Sequence, residues 1–351
     1  MKIGQVSIDR PVALAPMAGM TDTAFRRLVK RKGGCGLVVT EMVSSEGLVR
    51  GIDRTLEYAE YTEEERPVSI QIFGGDPQVM ADAAQVVEGM GADVVDINMG
   101  CPVPKIAKHH AGCSLMRQPE HAASIVRAMA AAVKIPVTVK MRAGWNESEI
   151  NAPLLARMVE DAGASALAVH GRTAAQSYTG ESDWSLIGRV AASVKIPVFG
   201  SGDCVQPDQV VARLRDTGAA GVLVGRGALR NPWIFSQAAA LADGAVRADD
   251  IALEERGRFL LDYIDLLMVE RIGEDEGFRH VAPGTEGAAH QPARGRERWV
   301  VNKVRALGAW YTKGLDGGGQ LRVAINSAEN VDALRRLIAE FFGVESLMAA
   351  S

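Results

Sequence analysis

Cys101 has the setting in this chain that most directly suggests chemistry. It stands in Asn98-Met99-Gly100-Cys101-Pro102, straight after an apolar run, where Gly100 and Pro102 force a bend that presents the thiol. A thiol is mostly protonated at neutral pH, so a positioned one can serve as a general acid. Cys35, Cys113 and Cys204 lack such flanks and read as packing residues. With no CxxC pair, the four suggest neither a zinc cage nor a disulfide framework, and no metal is expected. Lys140 and His170 also close apolar runs, in Val139-Lys140-Met141-Arg142 and Val169-His170-Gly171-Arg172-Thr173. The alternative role for Lys140 is a salt bridge to Glu41 or Asp96. Two Gly-rich turns, Gly200-Ser201-Gly202-Asp203 and Gly225-Arg226-Gly227, would let backbone N–H groups approach a phosphate, with Arg226 adding charge. Tight strand-to-helix turns are the plainer explanation for them. No nucleophile elbow, HExxH, GxxxxGK[ST] or strand-following GxGxxG occurs, which excludes acyl transfer, zinc hydrolysis and ATP use of the familiar kinds.

These residues need a scaffold that brings distant segments to one place. Short apolar runs predict strands at Val12–Pro16, Gly36–Glu41, Val68–Phe73, Val94–Asn98, Val137–Met141, Ala166–His170, Val198–Gly200 and Gly221–Val224. Helical spacing lies between them at Thr21–Lys32, Pro77–Met90, Glu120–Val133, Ile150–Ala162 and Pro207–Thr217. Two phrases repeat. A helix closes into Gly-Ala at Gly91, Gly163 and Gly218, and Val133-Lys134-Ile135-Pro136-Val137 recurs as Val194-Lys195-Ile196-Pro197-Val198. Strands alternating with helices predict an α/β fold, a (β/α)8 TIM barrel over residues 1–243, with an open doubly wound sheet as the alternative. A barrel explains why each run ends in polar or Gly-rich sequence, since chemistry sits at the carboxyl ends of its strands. Residues 244–351 read differently, as a small all-helical C-terminal domain with helices at Asp249–Val269, Trp299–Tyr311 and Val331–Phe342. Between two of these, 271–298 reads as an aperiodic mobile insertion.

The 351 residues are 47% hydrophobic and 23% charged, which supports a large core and excludes wholesale disorder. The net charge of −4 argues against a chain that coats nucleic acid by charge alone. Locally the balance reverses: residues 294–336 hold nine Lys/Arg against four acids, a docking surface for a polyanion or simply a solvated helix face. No run is long enough to span a bilayer, and Met1–Pro11 lacks a signal peptide's apolar stretch, so a cytoplasmic protein without membrane contact is expected.

The assembled motifs resemble the tRNA-dihydrouridine synthase family, most of all its bacterial B-type. The match runs through Ala15-Pro16-Met17-Ala18-Gly19-Met20-Thr21-Asp22, Gln71-Ile72-Phe73-Gly74, Asp96 to Pro102, Val139 to Arg142, Val169 to Thr173, Gly202-Asp203 and Val224 to Ala228, in family order. The tail is similar more loosely, at Trp310-Tyr311 and Leu321 to Asn326. The resemblance implies a barrel that binds FMN, a helical domain that grips tRNA, and reduction of the C5=C6 bond of specific uridines at the expense of NADPH or NADH. It implies FMN contacts at Pro16, Met17, Ala18, Gln71, Lys140, His170, Ser201, Gly202, Asp203, Gly225 and Arg226. Cys101 would be the general acid, and Asn98, Arg142 and Tyr178 would orient a flipped-out base. Such an enzyme is expected to act as a monomer, and a chain ending near Gly244 to keep FMN and lose tRNA. This chain departs from the family at Ser201, where Asn is usual, at Arg305-Ala306-Leu307-Gly308-Ala309, which replaces an Arg-Lys-His-type signature, and in the 271–298 insertion. The competing function is an FMN barrel acting on a free pyrimidine, dihydroorotate dehydrogenase-like, which would need no basic tail.

Overall fold

A computed structural model describes residues 1–107, 110–269, 276–280 and 295–345. Eight parallel strands form its centre: β1 (Val12–Leu14), β2 (Leu37–Val39), β3 (Val68–Phe73), β4 (Val94–Met99), β5 (Val137–Arg142), β6 (Ala166–His170), β7 (Val198–Ser201) and β8 (Gly221–Val224). Each pairs with the next, and Val222–Val224 of β8 pair with Val12–Leu14 of β1, so the sheet closes into a barrel. The strands are buried on both faces, which is why they read as continuous rather than alternating apolar runs.

Helices α1 (Thr23–Lys32), α2 (Pro77–Gly89), α3 (Pro119–Ala132), α4 (Ala152–Asp161), α5 (Trp184–Ser193) and α6 (Pro207–Asp216) surround it. The Asp22 carboxylate caps α1, accepting the Phe25 N–H at 3.0 Å, while Lys30, Arg31 and Lys32 meet the negative end of its dipole. Sequence spacing gave no sign of α5, because Gly188 interrupts the pattern. That glycine is needed for packing: a Cβ there would stand 2.8 Å from the Thr217 carbonyl oxygen. The repeated five-residue phrase has one physical cause in both places. Glu88 on α2 accepts the N–H groups of Lys134 and Ile135 at 2.6 and 3.1 Å, and Glu160 on α4 accepts those of Lys195 and Ile196 at 2.6 and 3.0 Å.

Beyond the barrel follow α7 (Arg226–Arg230), α8 (Ile234–Ala242), α9 (Leu253–Met268), α10 (Arg296–Tyr311), α11 (Gly318–Ser327) and α12 (Val331–Phe342). Helix α11 was not foreseen, because it opens on Gly317-Gly318-Gly319, which reads as a break. The C-terminal helices continue the barrel's own core. Phe259 and Tyr263 of α9 pack edge-on against Phe25 of α1 at 6.1 and 6.4 Å, and Phe259 stacks on Tyr311 of α10 at 5.7 Å. Most of the expected 271–298 insertion lies outside the described residues. Two parts of it correct the aperiodic reading: Gly277–Phe278 pairs antiparallel with Tyr61–Thr62, and residues 296–298 begin α10. No described helix is long and apolar enough to cross a membrane.

Candidate active site

The sequence-predicted site residues gather along one rim of the barrel, at the carboxyl ends of the strands. Three strands there share a polar relay set by their register, in which Gln71, Asp96 and Thr138 are neighbours and Asn98 lies beside Lys140. Asp96 accepts Gln71 Nε2 at 2.7 Å and Thr138 Oγ1 at 2.6 Å, and Gln71 Oε1 accepts Asn98 Nδ2 at 2.7 Å. Asn98 Oδ1 is thereby aimed at the following turn, where it accepts the N–H groups of Gly100 and Cys101 at 3.1 and 2.9 Å. The Cys101 backbone is thus tied to the buried Asp96 carboxyl through two side chains, Asn98 and Gln71, and the residue is partly exposed. Burial raises Asp96 above the usual carboxylate range, against the pull of its two hydrogen bonds and Lys140. Burial also pushes the other thiols up, Cys35 and Cys113 to about 11 and Cys204 to about 12, as suits packing residues.

Lys140 stands beside this relay without a hydrogen-bond or ion-pair partner among the described residues. Neither carboxylate offered as its alternative partner forms an ion pair with it: Asp96 accepts from Gln71 and Thr138, and Glu41 pairs with Lys303. Burial lowers Lys140 to about 8, with Arg142 adding to the effect and Asp96 opposing it. On the next strand His170 is held neutral, pushed down to about 2 by burial and then by Lys140, Arg142, Arg172 and Arg226.

The turns after β7, β8 and β1 adjoin. A Cβ on Gly202, whose φ is +127°, would collide with Ser182 Oγ at 2.2 Å, so only glycine fits there. Asp203 follows with φ +55°, and its carboxylate is held by Arg172 Nη2 at 2.8 Å to each oxygen, by the Ser182 N–H at 2.8 Å and by Arg226 at 3.4 Å. Its side chain therefore organises arginines. Ser201 ends β7, paired in register with His170. A Cβ on Gly225 would lie 3.5 Å from Met17 Sδ, which places Pro16-Met17-Ala18 against the β8 turn. Arg142 is committed to the walls, donating to the carbonyls of Gly100 at 2.8 Å and of Thr173 and Ser177 at 2.9 Å. Tyr178 projects outward, 59% exposed, with the Arg226 guanidinium 4.8 Å and that of Arg142 5.7 Å from its ring.

The profile of the Dihydrouridine synthase (Dus) family matches residues 13–332. The chain belongs to the dihydrouridine synthase family. Among its relatives, tRNA-dihydrouridine synthase B of Xanthomonas axonopodis pv. citri is 38% identical over 97% of this chain and 96% of its own. The protein of that name from Pseudomonas syringae pv. tomato is 36% identical over 97% and 94%. Membership makes the chain an oxidoreductase. Solved barrels share the fold alone. Histamine dehydrogenase from Rhizobium sp. 4-9 has a TM-score of 0.52 at 13% identity, covering 76% of this chain and 50% of its own. Morphinone reductase has a TM-score of 0.50 at 13% identity over 71% and 90%.

Within this dihydrouridine synthase, sequence reasoning missed Thr138, Arg172, Ser182 and Lys303. Arg172 was visible only as part of a strand terminus, because its partner Asp203 lies 31 residues away. Lys303 belongs by sequence to the basic stretch that suits a polyanion or a solvated helix face, yet it is bound to Asp22 and Glu41 at 2.9 and 3.4 Å. Arg296, Arg305 and Arg335 are likewise engaged, with the Leu267 and Val269 carbonyls, the Ala328 carbonyl and Asp265. Arg298, Lys313 and Arg336 are exposed.

Proposed function

We propose that this chain reduces the C5=C6 bond of uridines in tRNA to 5,6-dihydrouridine, with FMN held at the barrel mouth and NADPH or NADH as the reductant. What carries this reading is the surplus of cations at the mouth, with Lys140 unpartnered among the described residues, in a chain of the dihydrouridine synthase family. The residues fit FMN. The Gly202 and Gly225 turns with Arg226 suit a phosphate, and Pro16, Met17, Ala18, Gln71, His170, Ser201 and Asp203 line or brace the same rim. Lys140 supplies positive charge for the ring, and the neutral His170 can hydrogen-bond to it without charge.

FMN held there would supply hydride-transfer chemistry toward C6 of the uracil, with NADPH or NADH as the source of electrons. The protein's part is the proton. Charge left over C5 and O4 is quenched at C5 by the Cys101 thiol, whose turn Asn98 fixes through the relay from Asp96. Arg142 braces the Cys101 and Tyr178 loops together, and the Tyr178 ring offers a face for an extruded base, since a stacked uridine could not enter the mouth. Residues 1–243 would form the catalytic unit and 244–351 the tRNA-gripping unit, acting in the cytoplasm. Purified protein carrying flavin, reduced with NADPH, should be reoxidised by transcribed tRNA and not by free uridine. Comparable turnover of dihydroorotate or free uridine would overturn the reading in favour of a free-pyrimidine enzyme.

A further inference from the structure

Lys303 sits on α10, in the segment whose cations were expected to meet RNA, yet its side chain is only 13% exposed. Its ammonium donates to the Gly19 carbonyl at 2.9 Å, to Asp22 Oδ2 at 2.9 Å and to Glu41 Oε1 at 3.4 Å, three acceptors for three protons. The second Glu41 oxygen accepts the Gly19 N–H at 2.6 Å. The Gly19 residue is therefore gripped at both its N–H and its C=O by one ion pair. Asp22 Oδ1 caps α1, and its Oδ2 also accepts the Tyr263 hydroxyl of α9 at 2.9 Å. Gly19 and Asp22 lie on the loop that continues directly from Pro16-Met17-Ala18. That loop is also held by Thr21 Oγ1, which accepts the Met17 N–H at 3.0 Å, and by the Met20 and Thr21 N–H groups, which donate to the Met17 carbonyl at 3.0 and 3.1 Å.

We propose that Lys303, a residue of the C-terminal helices, is a positioning residue of the flavin site: by joining Gly19, Asp22 and Glu41 it sets the Pro16–Ala18 loop, so that this wall of the mouth is complete only while α10 is docked. The inference rests on the reading of the mouth as a flavin site. Burial alone would lower the Lys303 ammonium, but Asp22 and Glu41 outweigh it and the net shift is upward, as for a cation locked between two anions. Without Lys303, two carboxylates share a buried pocket with no counter-charge, and the pocket must take up a proton or open to water. Either response releases the Gly19 carbonyl and frees the loop. The simple division, in which a chain ending near Gly244 keeps its flavin, then fails. Truncation removes Lys303 and Tyr263 together.

The test uses the full-length chain. Apoprotein of the wild type, Lys303→Met and the charge-balanced Lys303→Met/Glu41→Gln is titrated with FMN, and hydrogen exchange of the Gly19 amide is followed in each. The expected result is an FMN Kd raised at least tenfold in Lys303→Met, with Gly19 exchange accelerated while Val39 and Val139 stay protected. The double variant, which removes the stranded charge but still lacks the donor to the Gly19 carbonyl, should recover only part of the affinity. Lys303→Gln, which keeps hydrogen-bonding reach without charge, stands in if the methionine variant does not fold. An FMN Kd within threefold of wild type in a folded variant, with Gly19 exchange unchanged, overturns the proposal and leaves Lys303 a purely architectural pair. If wild-type apoprotein does not take up FMN, the flavin reading has failed. Gly19 exchange then still decides whether Lys303 sets the loop.

Discussion

Two clusters of buried charge lie close together in this molecule and are built on opposite principles. Behind the rim, Lys303 meets Asp22 and Glu41, and fully buried Arg26 meets Glu65 at 2.6 Å. Arg26 also donates to the Thr21 and Glu60 carbonyls, at 2.7 and 2.6 Å, and Glu65 also accepts from Thr23 and Thr62. Each cation there meets at least one carboxylate, and Lys303 meets two. At the mouth, Lys140, Arg142, Arg172 and Arg226 surround a neutral His170, and Asp203 answers only two of them. Cations that each face a buried carboxylate act as architecture, whereas a surplus of cations held at some energetic cost suits the binding of an anion.

The largest expected effect lies in the chemistry that the surplus serves. Cys101→Ala should bind FMN and be reduced normally, yet be reoxidised by tRNA slower by roughly 10²–10⁴, the usual worth of a positioned acid. Stopped-flow absorbance at the flavin band measures this, and a rate within a few-fold of wild type would mean that another group gives the proton. Cys113→Ala, altering a buried thiol whose own backbone N–H donates to the Cys101 carbonyl at 3.0 Å, should stay close to wild type. Next comes a break in the balanced cluster. Arg26→Met strands the Glu65 carboxylate and should lower stability by about 3–5 kcal/mol in urea unfolding. A loss below about 1 kcal/mol would show that the pair is not the architectural element described here.

Arg226→Ala removes one answered but partly exposed cation from the mouth. FMN binding should weaken by about 1–3 kcal/mol, read by equilibrium dialysis. Unchanged flavin occupancy would place the phosphate elsewhere. The protonation of Lys140 gives a smaller and graded effect. Its folded value, about 8, is below the ordinary lysine value, so the apoprotein loses this charge as pH rises through 8. Flavin affinity should fall there by at most about tenfold per pH unit. Between that value and the ordinary one the unfolded chain binds more protons, so apoprotein stability should rise over the same range. A pH-independent Kd from 7 to 9.5 would remove Lys140 from the flavin site. The smallest effect is on the C-terminal helices, where Arg336→Gln should flatten the salt dependence of tRNA binding by about one unit of slope.

The barrel and its rim were legible because they follow local rules. Apolar runs mark strands buried on both faces, and residues that end such runs lie at one face whatever their separation in sequence. Asn98, Cys101, Lys140 and His170 could be placed that way. The partners of these residues could not. Asp203 reads as a turn residue until Arg172 is seen to reach it from 31 positions away, and Lys303 reads as one more basic residue until Asp22 and Glu41 are found beside it. Periodicity places a side chain on an element, but the choice between an unpaired and a matched charge is made by tertiary packing.

The Glu88 and Glu160 clasps carry a consequence for assembly during synthesis. Each reaches only 46 and 35 residues along the chain, against 262 for the contact of Lys303 with Glu41. Loop closure over such spans is cheap, and both clasps involve segments that leave the ribosome long before α10 exists. The barrel can therefore be secured in stages from its amino-terminal side, and the contact of Lys303 with Glu41 forms only late in synthesis. A nascent chain stalled at residue 240 would then be protected from exchange at Lys134 and Lys195 while Gly19 still exchanges freely. On that order of events, the enzyme's rim stays unfinished until translation has nearly ended.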